Sequence, residues 1–288
     1  MPELPEVETM RRGILPIVGS RIESVVCPPC ERKPILLSPA IKPFDRRLRG
    51  KQVVAIDRRG KRVIVEIEDE QAIVIEPRMT GLVLLSDPPT REHLRLRITL
   101  SGNSQQQLLF WDRRGLGTVR LLTKKEIESQ IEAKLGTDAL EITSNELRDR
   151  LGKSQRAIKV ALLDQSAIAG VGNLYAAELL FRAGIDPRTR CDRLSGPQWK
   201  RLVAEMQDVL QEAIHYEGST LSDGTYRNAI NGEGGYQAHH LVYDKAEKPC
   251  PRCEQGTIVR IVQAQRSTFF CPVCQRKRGL HVTLESRL

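Results

Sequence analysis

The chain has 288 residues and carries 45 Lys and Arg against 36 Asp and Glu, a formal net charge of +9. Hydrophobic residues make up 40% and charged residues 28%, a globular composition that excludes a wholly disordered chain. The length predicts two or three domains, and the apolar runs are strand length, as at 108–111, so none spans a bilayer.

The start MPELPEVE is acidic and broken by proline, so no secretory signal is expected and the cytoplasm is the expected compartment. Residues 5–15 predict a short helix, with Val7, Met10 and Ile14 on one face. Strand-like runs follow at 20–26, 52–58, 61–67, 71–76, 82–86, 93–100, 106–111 and 117–122. The run from His93 to Leu100 alternates strictly, as a half-buried strand does. Many short strands separated by Gly and Pro suggest a sandwich or barrel. Near residue 123 the period changes, and helices are expected over 124–134, 144–151, 154–165, 173–183 and 196–216, the last opened by a Ser195–Gln198 capping box. Residues 217–240 are rich in glycine and poor in aliphatics, and are expected to form a long mobile loop of the kind that often carries function.

The chain holds seven cysteines. Without a signal segment, Cys-x-x-Cys pairs point to metal or redox chemistry rather than disulfides. Cys250, Cys253, Cys271 and Cys274 form two pairs separated by 17 residues, the spacing of a four-thiolate zinc site. A module this small has too little core to fold alone, so one structural Zn2+ is expected to hold it. Two strand-like runs between the pairs put residues 263–266 at a hairpin tip, where Arg266 is either placed to fork a phosphate or is a solvated cation. Cys27 and Cys30 have no matching pair nearby and are read as reduced thiols without function.

A basic surplus suggests a polyanionic partner. Residues 241–288 hold nine Lys or Arg against four Asp or Glu, more than half the excess in a sixth of the chain. Ala169-Gly-Val-Gly-Asn173 opens a helix, where free N–H groups and the positive dipole end favour an anion, and Asn173 could cap the helix or donate to a phosphate. Lys153, Arg156 and Lys159 lie beside it; an ordinary helix corner is the alternative. At the start, Met1 precedes the small residue Pro2, so its removal would leave a free secondary amine. Such an amine attacking a sugar C1′ gives an iminium ion that activates the chain to elimination, and Glu3 could protonate the sugar oxygen. A frayed terminus is the alternative.

MPELPEVET, Arg58-Arg-Gly-Lys61, Ala169-Gly-Val-Gly-Asn-Leu-Tyr-Ala176 and the zinc module with Gln265-Arg-Ser-Thr-Phe269 together resemble the formamidopyrimidine-DNA glycosylase family, in order from residue 2 to about 276. The resemblance implies an α+β multidomain chain. An N-terminal β-sandwich with a flanking helix (1–125) would carry the nucleophile. A helical helix-two-turn-helix domain (126–244) would include a lesion-capping loop at 217–240. A zinc-finger β-hairpin (245–276) would follow, then a tail (277–288) of unassigned role. It implies a bifunctional glycosylase and lyase for oxidised purines, a monomer acting on damaged duplex DNA with the base flipped out, located with the bacterial nucleoid and not at a membrane.

By position, the resemblance makes Pro2 the Schiff-base nucleophile and Glu3 the acid that opens the sugar. Lys61 would contact the lesion phosphate and assist β-elimination, and Arg266 would grip phosphates and be linked to δ-elimination. Lys153, Lys159, Asn173 and His93 fall among DNA-contacting positions. Met79, Arg114 and Leu116 match the side chains that fill the gap left by a flipped base. Asp112-Arg-Arg-Gly-Leu-Gly117 stands where the family usually has Asp-Pro-Arg-Arg-Phe-Gly, so Gly115 replaces an arginine and Leu116 a phenylalanine. Glu76-Pro-Arg-Met79 likewise replaces His-Leu-Gly-Met. These departures bear on wedge strength and opposite-base reading, not on the chemistry. An oxidised-pyrimidine glycosylase of the endonuclease VIII type would more usually begin MPEGPE. A non-catalytic DNA-binding protein would not need Pro2, Glu3, Lys61 and Arg266 intact.

Overall fold

The computed structural model describes residues 2–222 and 224–276; the tail from 277 and the question of Met1 removal lie outside the described residues. The chain divides into two compact units. The first takes in the chain up to Glu141 together with Ile168–Val171 and Leu210–His239. The second takes in Ile142–Ala167, Gly172–Val209 and the chain from His240 onward.

The first unit is a β-sandwich. Helix α1 (Leu4–Gly13) leads to β1 (Arg21–Val26), β2 (Leu36–Ser38) and α2 (Ile41–Leu48). Then come β3 (Val53–Arg59), β4 (Arg62–Ile67), β5 (Gln71–Glu76), β6 (Gly81–Leu84), β7 (Leu94–Ser101), β8 (Gln107–Asp112) and β9 (Thr118–Thr123). One sheet runs β1-β7-β8-β6 and the other β2-β9-β5-β4-β3. Leu96, Ile98, Leu108 and Phe110 from the first sheet and Val63, Val65, Ile73 and Ile75 from the second share one buried core, which Val7, Met10 and Ile14 of α1 join. Each such side chain contributes about 1.5–3 kcal/mol on burial, whereas a surface ion pair contributes about 0–1 kcal/mol, so the apolar interior holds this unit together. The opposite face of the second sheet packs Ile64, Ala72, Val74 and Leu122 against Ile127 of α3 (Lys124–Gln130), which explains why β4 and β5 are apolar on both faces. A short parallel pair, β10 (Thr137–Asp138) with a strand at Ile168–Ala169, completes the unit.

The second unit holds α4 (Ser144–Leu151), α5 (Ile158–Leu162), α6 (Asn173–Arg182) and the first part of α7 (Gly196–His215). Thr143 caps α4 through Glu146 N–H. Gln198 accepts from both the N–H and the hydroxyl of Ser195, as the capping-box spacing predicts. With the short strand at 168–169 as β11, the zinc module supplies β12 (Val259–Gln263) and β13 (Arg266–Phe270).

Three expectations change. The helix expected over 154–165 is only Ile158–Leu162, because the backbone of 154–158 pairs with 189–192 instead: Cys191 N–H donates to Arg156, Asp192 to Ser154 and Ile158 to Thr189. Helix 124–134 stops at Gln130 and ends in a tighter turn over Glu132–Lys134. The alternation from His93 breaks where Leu94 pairs with Trp111 but Leu96 with Phe110, a bulge that buries Arg95.

Candidate functional site

In the first unit the chain start is built into the fold. Pro2 is buried, Glu3 is 4% exposed and α1 begins at Leu4. The Glu6 carboxylate accepts from Glu3 N–H with one oxygen, at 2.9 Å, and from Ser219 N–H with the other, at 2.9 Å. Gly218 has φ +78°, and a Cβ there would meet Glu6 Oε1 at 2.8 Å, so only glycine fits. Leu4 N–H donates to Gly170 O at 3.1 Å, and a Cβ on Gly170 would lie 2.4 Å from Leu4 Cδ1. The Gly-x-Gly segment read as a ligand approach thus divides: Gly170 makes room for Leu4, and Gly172 is the N-cap of α6. Asn173 is the first helical residue and does not cap. A frayed terminus does not fit these contacts. Glu6, which joins the terminus to residue 219, was not singled out from the sequence; its only signal was the Glu3-x-x-Glu6 spacing.

Residues 217–239 are not a loose loop. Ser219, Thr220, Thr225, Asn228 and Tyr236 are buried, and Tyr226 and Ala229 join the sandwich core. Tyr226 hydroxyl donates to Glu217 O at 3.0 Å, and Ala229 O accepts from Leu85 N–H at 2.8 Å. Ser222 and Gly224 are exposed at its tip.

Lys61 sits on the two-residue turn between β3 and β4, with Gly60 at φ +57°. The Arg58 guanidinium holds that turn. It donates to Gly60 O at 3.0 Å, to both oxygens of Asp138 at 2.6 and 3.2 Å, and to Glu8 Oε2 at 3.1 Å. Burial pushes the Glu8 pKa up, but hydrogen bonds from Arg11 and Arg12 and the charges of Arg11 and Arg58 outweigh it and hold the group at about 2. Its contribution to stability is therefore full above the ordinary value of about 4.5 and lost as pH falls toward 2. Glu8→Gln is expected to flatten the acid limb of the stability curve between pH 4.5 and 2, read by denaturant titration across that window; an unchanged limb would show that other carboxylates control it.

Met79 and Leu116 are exposed apolar side chains, at 37% and 39%, and Arg114 is exposed beside them. Gly81 pairs with Asp112, so the loop before β6 and the loop after β8 are neighbours. Thr80 hydroxyl bonds the buried Asp112 carboxylate, which also accepts from Arg114 N–H and Gly117 N–H. Arg78 has φ +57° where the usual motif has glycine, and its Nε pairs with Glu76 at 3.0 Å. His93 lies 8% exposed, edge-on to Trp111 with ring centroids 5.4 Å apart and Nε2 2.8 Å from Glu92. Burial lowers its pKa, the charges of Arg95, Arg32 and Arg113 push the same way, and Glu92 opposes.

In the second unit Lys159 is fully buried, with Nζ 2.6 Å from Asn173 Oδ1. The Asn173 amide nitrogen donates to Ser267 O at 3.0 Å, next to Arg266. Arg266 is exposed beside the β12–β13 turn, where Ala264 and Gln265 take φ +47° and +60°. Lys153 is exposed after α4. Cys250, Cys253, Cys271 and Cys274 bring four sulfurs within 4.8 Å of one another. Their Cys250–Cys274 and Cys253–Cys271 separations are 3.6 and 3.9 Å. A zinc tetrahedron with 2.3 Å bonds has edges of about 3.8 Å, and a disulfide would need about 2.05 Å, so the group fits one structural zinc ion. Arg252 stacks over Phe181 of α6 at 4.5 Å, and Gln275 donates to Ile185 O at 2.9 Å. Glu178, also missed in the sequence, accepts from the N–H groups of Leu241, Val242 and Tyr243. Cys271→Ala is expected to release the zinc and weaken DNA binding with little change in the sandwich; one zinc per chain and unchanged affinity in that variant would contradict this.

Family models match along the chain: the formamidopyrimidine-DNA glycosylase N-terminal domain over residues 1–119, its H2TH domain over 135–225, and the zinc finger found in FPG and IleRS over 247–276. The formamidopyrimidine-DNA glycosylase of Chloroflexus aurantiacus is 39% identical over 277 residues, covering 96% of this chain and 98% of that protein. That of Bacillus subtilis is 39% identical over 287 residues, covering 96% and 100%. A crystal structure of a Lactococcus lactis Fpg variant in complex with DNA containing Fapy-dG superposes with a TM-score of 0.85 at 33% identity, covering 96% of this chain and 100% of that one. The Chloroflexus and Bacillus enzymes each span nearly their whole length in the match, and so the chain belongs to the formamidopyrimidine-DNA glycosylase family.

Proposed function

We propose that this protein is a base-excision-repair DNA glycosylase and abasic-site lyase that removes oxidised purines, 8-oxoguanine and formamidopyrimidines, from duplex DNA. The observation that carries the reading is the chain start. Pro2 and Glu3 are buried, and Glu6 fixes the Glu3 backbone. A terminus held in this way can present one amine in one orientation, as a covalent nucleophile requires.

The steps follow from the residue chemistry. With Met1 removed, the Pro2 amine attacks C1′ as the bond to the base breaks and the departing base gains a proton. Glu3 gives a proton to the ring oxygen, the ring opens, and an iminium ion joins Pro2 to C1′. The iminium acidifies the C2′ hydrogen; its loss expels the 3′ phosphate, and a second elimination expels the 5′ phosphate. Water then frees the enzyme. Lys61 holds the lesion phosphate and assists the first elimination, and Arg266 grips phosphates for the second. Asn173, Lys153 and Lys159 serve phosphate and lesion binding, with Lys159 acting through its bond to Asn173. Met79, Arg114 and Leu116 fill the gap left by the flipped base, and we read His93 as a DNA contact from its position in the family pattern. The tip of 217–240 covers the extruded base. Zinc has a structural part: it stabilises the hairpin that carries Arg266.

We read residues 1–125 as the catalytic domain, 126–244 as the helix-two-turn-helix domain and 245–276 as the zinc finger. Among the described residues no helix is long and apolar enough to cross a membrane, and we place the enzyme with the nucleoid on the strength of its DNA chemistry. The test is cleavage of matched duplexes carrying 8-oxoguanine, an oxidised pyrimidine or no lesion. The 8-oxoguanine duplex opposite cytosine is expected to be cut at least about tenfold faster than the pyrimidine one, the factor that about 1.4 kcal/mol of transition-state discrimination gives. The reverse order would favour the endonuclease VIII type, and binding without cleavage a damage sensor.

A further inference from the structure

The loop that carries Arg114 and Leu116 rests on a buried arginine that strand alternation assigns to solvent. Arg95 lies on the β7 bulge and is 4% exposed, while Arg97, two residues on, is exposed. A bulge beside a functional loop re-aims one side chain, and here it turns Arg95 inward. Its guanidinium donates to Asp112 O at 2.8 Å and to Arg113 O at 3.5 Å on the loop. On its other side it donates to Lys33 O at 3.2 Å and to Cys30 Sγ at 2.7 Å. Cys30 in turn donates to Glu92 O at 3.0 Å. Arg95 therefore clamps the residues just before Arg114 to the segment 30–33.

The same packing accounts for the altered loop sequence. Gly115 takes φ +63°, and a Cβ there would lie 2.4 Å from Lys33 O and 3.6 Å from Arg95. The arginine usual in the family at this position has no room while 30–33 occupies that space. The Cys27-x-x-Cys30 segment, read from the sequence as without function, thus includes one half of the clamp.

We propose that Arg95, held by Cys30 and the Lys33 carbonyl, is a positioning residue that fixes the Arg114–Leu116 loop and thereby sets which base opposite the lesion is accepted. This rests on the reading above that Arg114 and Leu116 enter the gap beside the opposite base. Arg95 is 4% exposed, so it acts through the loop it holds. Its removal is expected to change discrimination while the lyase chemistry at Pro2 persists.

The experiment compares wild type with Arg95→Lys, Arg95→Met and Cys30→Val, each checked for folding by thermal unfolding. Single-turnover cleavage is measured on 8-oxoguanine opposite each of the four bases, alongside nicking of an abasic duplex. Loss of a loop's placement by an ångström or so changes rates on the order of a hundredfold, and a good bidentate base contact discriminates on the order of tenfold or more. The ratio between the best and worst opposite base is therefore expected to shrink about tenfold in Arg95→Met and less in Arg95→Lys, with abasic nicking within about threefold of wild type. Cys30→Val should shift the ratio in the same direction, and it carries the test if the arginine variants do not fold. A wild-type ratio in folded Arg95→Met, or in Cys30→Val if that is the folded variant, would overturn the proposal. Arg114→Ala and Leu116→Ala separate the two layers. If they change the ratio and the Arg95 and Cys30 variants do not, the clamp fails but the loop reading stands. If they also leave it unchanged, the loop reading itself fails.

Discussion

Enzyme whose Pro2 nitrogen is blocked, by acetylation or by retained Met1, is expected to release no base by the covalent route and to nick no abasic site, although it still binds DNA. An α-amino group has a pKa near 7.7–8.0 against about 10.4 for lysine, so roughly 15% is neutral at pH 7 against roughly 0.04%. No lysine substitutes for such a nucleophile without a large pKa shift. The start of α1 adds its positive dipole end, which favours the neutral amine, while the buried Glu6 carboxylate opposes it. Pro2→Gly retains a terminal amine, now primary, and is expected to lose only part of the activity. Strand-cleavage time courses on an abasic duplex separate the cases. Normal cleavage by fully blocked protein would remove Pro2 from the mechanism.

Glu3→Gln is expected to divide the two activities. Breaking the bond to the base depends on protonation as the sugar opens, and a positioned acid contributes on the order of 10²–10⁴-fold. The amide is nearly the same size but has no proton to give. An abasic sugar has already lost its base and opens spontaneously to an aldehyde, which Pro2 attacks directly. The variant should therefore fail on an 8-oxoguanine duplex and still nick an abasic one. Glu3 and Glu6 form a capping box at the start of α1, and glutamine keeps an accepting oxygen at position 3, so the helix start should survive the change. Paired time courses at equal enzyme make the test. Equal loss on both duplexes would give Glu3 a structural role, and no loss on either would give it none.

The sandwich strands were legible because each side chain's partner face is encoded locally: β4, β5, β7 and β8 fall within a residue or two of their apolar runs. The zinc module was legible for the same reason, since its four ligands lie within 25 residues of chain. What the sequence concealed depends on distant partners. Helix α2 contains Pro43 at its third position and gives a broken helical pattern. Glu6 meets Ser219 across 213 residues. Residues 154–157 give up helix for backbone pairing with 189–192. Arg95 sits in a run that alternates perfectly on paper, and only the bulge against β8 turns it inward. The resemblance implied which positions would carry chemistry, while the residues that hold those positions in place, Glu6, Arg58, Glu178 and Arg95, emerged from the fold.

Every proposed step runs through a covalent bond between Pro2 and C1′ of a damaged nucleotide. Incubating the protein with an 8-oxoguanine duplex and borohydride, then digesting and mapping the crosslinked peptide, tests it most directly. A reduced adduct of one protein to one strand is expected, with the DNA on the peptide that begins at Pro2. No adduct from active protein, or an adduct mapped to a lysine such as Lys61 or Lys159, would contradict it.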